Sequence, residues 1–157
     1  MIDSRETNRF TIQTASPSET EAFGVSFGEK TEAGLCVSLV GPLGSGKSVL
    51  ARGICKGLGV DELVVSPSFI LFEEYQGRLP VIHLDLYRLD HERELQELGV
   101  FDRMDDVVIV AEWGDRSPLL TDAADAVIRL EVTGESERAI EVIGSERCAA
   151  VVRGLFG

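Results

Sequence analysis

Two kinds of hydrophobic pattern alternate along the chain. Leu35 to Val40 and Val107 to Ala111 are short, almost wholly apolar runs, the mark of strands buried on both faces of a parallel sheet. Phe10 to Thr14 alternates apolar and polar residues like an edge strand, and Ser16-Pro17-Ser18-Glu19 then carries the signs of a helix start, a capping box with proline in the first turn. That helix is expected to run to about Glu32. A second helix is predicted over Lys47 to Leu58, stopped by Gly59. Phe69 to Tyr75 and Leu79 to Leu84 flank Gln76-Gly77-Arg78 as a hairpin would. Asp90 is positioned to cap a short helix to Leu98, closed by Gly99. Ala126 to Val132 and Ala139 to Ile143 read as late antiparallel strands, and Ser145 as the cap of a terminal helix to Leu155. Strands alternating with helices early and pairing as hairpins late predict an α/β fold: a three-layer domain with a mixed, largely parallel central sheet. Residues 1–157 carry no repeat, linker or low-complexity tract and read as a single domain.

Gly41-Pro42-Leu43-Gly44-Ser45-Gly46-Lys47-Ser48, between a predicted strand and a predicted helix, fits G-x-x-x-x-G-K-[ST] at every fixed position. Glycines let the backbone curl so that successive N–H groups point inward, the following helix offers its positive end, and Lys47 brings a mobile cation to the outer phosphates. Ser48 supplies a hydroxyl for Mg²⁺. The expected nucleotide contacts are Gly41, Leu43, Gly44, Ser45, Gly46, Lys47, Ser48 and Val49, and the fold becomes specifically a P-loop NTPase-like one.

Such a site also needs acids, at the ends of apolar strands, to serve the metal and position water. Asp85 after Val81 to Leu84 and Glu112 after Val107 to Ala111 meet that requirement. Trp113 follows Glu112 and is a candidate wall of the nucleotide pocket. His83 and His91 have no companions at metal-ligand spacing and are read as structural or surface residues.

Composition narrows the class. With 44% hydrophobic and 27% charged residues the chain is ordinary globular protein rather than disordered. Asp3, Arg5 and Glu6 stand where a secretory signal would be apolar, and no run approaches a membrane span, so a cytoplasmic protein is expected. Cys36, Cys55 and Cys148 are odd in number and lack a C-x-x-C pair, which suits reduced, partly buried thiols. A net charge of −12 repels phosphate backbones and argues against tight independent binding of nucleic acid.

Asn8 is the sole asparagine, and no aspartate has glycine three positions on, so both the guanine reader and the switch motif of regulatory GTPases are missing. ATP and ADP are the expected nucleotides. A small-molecule kinase is the enzyme alternative, although the twelve arginines form no lid-like cluster; a non-catalytic module docking in its ATP-bound state is the other.

Several ordered motifs extend beyond the loop: Thr20 with Gly24, Arg52-Gly53, Gly57-Leu58-Gly59, Ser66-Pro67-Ser68-Phe69, His83-Leu84-Asp85-Leu86-Tyr87-Arg88-Leu89, and Glu112-Trp113. From about Pro17 to Arg116 this series resembles the bacterial tRNA threonylcarbamoyladenosine biosynthesis protein family TsaE. The resemblance implies a Mg²⁺-dependent ATPase, slow alone, that acts with TsaD and TsaB while they place a threonylcarbamoyl group on adenosine 37 of tRNA, and that meets tRNA only through that complex. It implies that Lys47 contacts phosphates and that Ser48 and Asp85 serve the magnesium. It also implies that Glu112 acts on the hydrolytic water or metal shell, that Thr20 approaches the adenine, and that the loop containing Ser68 lies near the γ-phosphate. Three departures stand out: Pro42 where the family usually has Asp, Ser45 where it has Ala, and Ser48-Val49 where it has Thr-Thr.

Overall fold

The computed structural model describes residues 8–62, 64 and 72–156. The strands are β1 (Asn8–Thr14), β2 (Cys36–Val40), β3 (Phe72–Gln76), β4 (Pro80–Asp85), β5 (Val108–Glu112), β6 (Ala126–Val132) and β7 (Arg138–Gly144). The helices are α1 (Pro17–Lys30), α2 (Lys47–Gly57), α3 (Glu92–Glu97), α4 (Pro118–Ala123) and α5 (Glu146–Phe156). All seven strands join one sheet in the order β1-β7-β6-β2-β5-β4-β3. Its centre, β6-β2-β5-β4, is parallel; β7 and β1 extend it antiparallel on one side and β3 on the other. The mixed sheet with a parallel centre is the fold class expected.

Side-chain alternation divides the core between the two faces of the sheet. Val37, Leu39, Val81, Val108 and Val110 pack with Phe27 of α1, Leu50 and Ile54 of α2, and Val152 of α5. Cys36, Ile82, Leu84, Ile109 and Ala111 point the other way, onto Leu95 of α3, Val100 in the turn that follows it, and Leu120 of α4. Three layers result.

Helix α1 presents an unusual face to α2. Its buried residues are Thr20, Gly24, Phe27 and Gly28, and a methyl group at Gly28 would overlap the carbonyl of Ile54, just as one at Gly57 would overlap that of Val25. Gly24 and Gly53 face Leu50 and Glu21 in the same way. The two helices therefore touch backbone to backbone.

Boundaries differ from the sequence expectations by a residue or two at most ends, and three local readings change. Asp90 does not cap α3: His91 holds that position without a side-chain cap bond, while the Asp90 N–H donates to Glu94 Oε2 at 3.3 Å. Ser145 precedes α5 and its carbonyl accepts the first helical bond, from Ala149, yet its hydroxyl has no partner among the described residues. Helix α4 was not anticipated; the Ser117 hydroxyl caps it by accepting from the Leu120 N–H at 3.0 Å. The expected strand over 69–75 lies outside the described residues up to position 71. Among the described residues no helix is long and apolar enough to cross a membrane.

Candidate functional site

The loop from Gly41 to Gly46 leaves the C-terminal end of β2 and opens directly into α2. Gly41, Gly44 and Gly46 take φ values of +152°, +79° and +103°, conformations that side chains with a Cβ rarely adopt. Helix α2 has neither a side-chain cap nor an acid in its first turn, so nothing in the helix neutralises its positive end.

Lys47 is 5% exposed. Its Nζ curls back to donate to the carbonyls of Gly41 at 2.7 Å and Pro42 at 2.9 Å and sits 3.9 Å from the centre of the Trp113 ring. Burial pulls its pKa below the usual lysine value, against the opposing pull of Glu112, Asp115 and Asp85.

Strands β4 and β5 bring the acids to this point, because their parallel register pairs Asp85 with Glu112. Ser48 Oγ donates to Glu112 Oε1 at 2.7 Å, and Glu112 Oε2 lies 2.6 Å from His83 Nε2. His83 and Glu112 are 1% and 2% exposed. Burial pushes the Glu112 carboxyl up, but the His83 contact, the Ser48 hydroxyl and the Lys47 charge together hold it below the ordinary carboxylate value. An ionised carboxylate only accepts, so His83 Nε2 carries the proton. His83 Nδ1 is buried without a partner among the described residues. Asp85 Oδ1 accepts from the Tyr87 N–H at 3.0 Å, fixing the turn after β4.

Trp113 is the only non-glycine residue with positive φ among those described, at +58°. Its N–H donates to Leu39 O at 2.9 Å, and the turn that forces this conformation lays its ring between Lys47 and the Tyr87 ring, whose centroid is 4.9 Å away.

Gly41, Lys47, Ser48, Asp85, Glu112 and Trp113 thus gather at the C-terminal edge of β2, β5 and β4. The other candidates sit differently. Thr20 is buried behind Gly46, its hydroxyl 2.8 Å from that of Thr14. Ser45 is buried, with Oγ unpartnered among the described residues. Leu43 is 79% exposed at the loop tip, Val49 is half-buried in the first turn of α2, and Ser68 lies outside the described residues.

The family profile described as "Threonylcarbamoyl adenosine biosynthesis protein TsaE" matches residues 14–140. The chain belongs to the TsaE family. TsaE of Nostoc sp. is 38% identical over 109 residues, 66% of this chain and 67% of that protein. TsaE of Mycobacterium tuberculosis is 36% identical over 132 residues, covering 78% and 79%, and TsaE of Treponema pallidum 34% over 128, covering 81% and 95%. All three carry the description tRNA threonylcarbamoyladenosine biosynthesis protein, and that is the process in which the family takes part. The crystal structure of Bacillus subtilis YdiB superposes with a TM-score of 0.76 at 25% identity, over 94% of this chain and 97% of that one.

Set against this TsaE framework, the residue that sequence reasoning undervalued is His83. Alone in the sequence it has no ligand-like companions. Once β4 is known to pair with β5 in register, its place two residues before Asp85 puts it on the same sheet face as Glu112.

Proposed function

We propose that this TsaE-family chain is a Mg²⁺-dependent ATPase that works in the cytoplasm beside TsaD and TsaB, serving the threonylcarbamoylation of adenosine 37 in tRNA. The observation that carries the reading is the convergence of Lys47, Ser48, Asp85 and Glu112 at one strand edge, at the mouth of a glycine loop that opens into a helix. A flexible cation, a hydroxyl and two carboxylates placed there are the parts phosphoryl transfer from ATP requires.

The donor set suits magnesium. Ser48 Oγ and the carboxylates of Asp85 and Glu112 are hard oxygen ligands, and among the described residues there is no group of three or more His, Cys, Asp or Glu that could hold an ion without help. These three groups would hold the ion only in part, and phosphate oxygens of a bound nucleotide would supply the remaining ligands. When bound, Mg²⁺ supplies charge neutralisation at the outer phosphates.

The chain's own residues do the rest. Lys47 exchanges the carbonyls of Gly41 and Pro42 for phosphate oxygens. Loop N–H groups and the open end of α2 face the anion. Glu112, held ionised and fixed by His83, accepts a hydrogen bond from the attacking water and orients it; with its pKa held low it is a weak base. Trp113 covers Lys47 and keeps bulk water from it. The net charge of −12 favours contact with tRNA through the protein complex rather than directly.

The test is phosphate release from ATP and Mg²⁺ by the chain alone, then with TsaD and TsaB. A slow rate alone, on the scale of about 10⁻⁴ to 10⁻² per second for sites lacking an inserted arginine, and a faster one in the mixture are expected. GTP competing as well as ATP, or no stimulation by the partners, would overturn the reading.

A further inference from the structure

Behind the glycine loop, β7 supplies a residue that no loop motif includes. Arg138 donates from Nε to Ser45 O at 3.0 Å and from Nη2 to Gly44 O at 3.2 Å. Its Nη1 donates to the carbonyls of Glu137 at 2.8 Å, Gly134 at 3.1 Å and Glu135 at 3.4 Å. One guanidinium thus joins the β6–β7 turn to two consecutive peptide units of the loop.

We propose that Arg138 is a positioning residue that sets the anion-facing conformation of the glycine loop; this rests on the nucleotide-binding reading above. No peptide bond among the described residues is cis, so the carbonyl of each residue points opposite to the N–H of the next. Drawing the Gly44 and Ser45 oxygens toward β7 therefore turns the Ser45 and Gly46 N–H groups to the far side. The Ser45 N–H closes the loop onto Pro42 O at 3.1 Å. The Gly46 N–H, immediately before Lys47, is thereby aimed where a phosphate-binding loop needs a donor.

The loop requires an outside tie. Gly44 and Gly46, at φ +79° and +103°, have no Cβ to restrict them, and the Ser45 side chain, unpartnered among the described residues, anchors nothing. Arginine suits the task because its planar fork holds several carbonyls at fixed angles, whereas an ammonium group is a point donor. Among the described residues Arg138 makes no ion pair, so its guanidinium is committed to the five carbonyls alone.

The experiment compares wild type, Arg138→Met, which keeps the aliphatic stem, and Arg138→Lys. Three quantities are read: affinity for ADP with Mg²⁺ by calorimetry, thermal unfolding, and the amide resonances of Gly44, Ser45 and Gly46 without nucleotide. Arg138→Met is expected to weaken binding by about tenfold or more, with Arg138→Lys recovering part of it. The melting temperature should hold within a few degrees, and the Ser45 and Gly46 resonances should move or broaden before any nucleotide is added. Unchanged affinity in folded Arg138→Met overturns the inference and leaves the nucleotide reading intact. So does lost affinity that tracks a fall in melting temperature while the loop resonances stay put, since that is a merely structural role. Wild type failing to bind ATP or ADP overturns the nucleotide reading and this inference with it.

Discussion

At their N-terminal ends, β2 and β5 run into turns whose polar groups are closed onto one another. Gly34 N–H donates to Val107 O at 2.8 Å, and Asp125 grips Cys36 twice, Oδ2 accepting from its N–H and the Asp125 N–H donating to its carbonyl, both at 2.8 Å. Arg147 covers the carbonyls of Ala33 and Gly34. At the C-terminal ends of the same strands the treatment is reversed. Lys47 rests on borrowed carbonyls, Trp113 is held in a left-handed conformation, and His83 Nδ1 and Ser45 Oγ are buried without partners among the described residues. Ser145 Oγ, near the closed end, shares that condition, so orphaned atoms alone do not mark the working edge. What marks it is their coincidence with strain and with a buried, partnered charge.

If one edge is for stability and the other for chemistry, substitutions at the two should separate in what they change. The largest effect is expected at Glu112. Glu112→Gln should keep ATP binding and metal dependence yet lose roughly 100-fold or more of the partner-stimulated rate of phosphate release, because an amide orients water poorly. Full stimulated rate in that variant would withdraw the role given to Glu112. Lys47→Ala should weaken ATP binding by about tenfold or more, a charge-assisted contact being worth about 1.5 to 3 kcal/mol, with the circular dichroism spectrum retained. Unaltered affinity would take Lys47 out of the site.

Asp125→Ala probes the closed end. It leaves the Cys36 N–H unpaired and should cost about 1 to 3 kcal/mol in denaturant unfolding while leaving nucleotide affinity unchanged; a large loss of affinity would dissolve the distinction between the edges. The smallest effect belongs to Ser45→Ala. Removing a buried hydroxyl that has no partner should leave stability unchanged or raise it by about 1 kcal/mol, with ATP affinity within about threefold, a difference of about 0.7 kcal/mol. A marked drop in affinity would give that hydroxyl a ligand of its own.

How much of this was legible in the sequence follows from how local each feature is. The glycine loop is a local signature and could be read directly, as could β2 and β5, whose continuous apolar runs mark doubly buried strands. Helix α4 is not legible in the hydrophobic pattern although Ser117-Pro118 repeats the Ser16-Pro17 signal at the start of α1, because six residues are too few to establish a period. The buried face of α1 is largely glycine and threonine, so hydrophobicity understates how firmly it is packed. His83 and Arg138 acquire meaning through pairings across the sheet and the fold: the two-residue spacing of His83 from Asp85 gains its sense from the register of β4 with β5, and Arg138 from the approach of β7 to the loop.

The glycine-to-glycine contact of α1 with α2 has a mechanical consequence. A side-chain layer between two helices can shear, each residue changing rotamer while the axes slide; backbone packed on backbone has no such give. The pair is therefore expected to move as one lever, so that a tilt of α2 on anion binding carries α1 with it. Thr20 and its partner Thr14 sit at the near end of that lever, and Lys30 closes its far end.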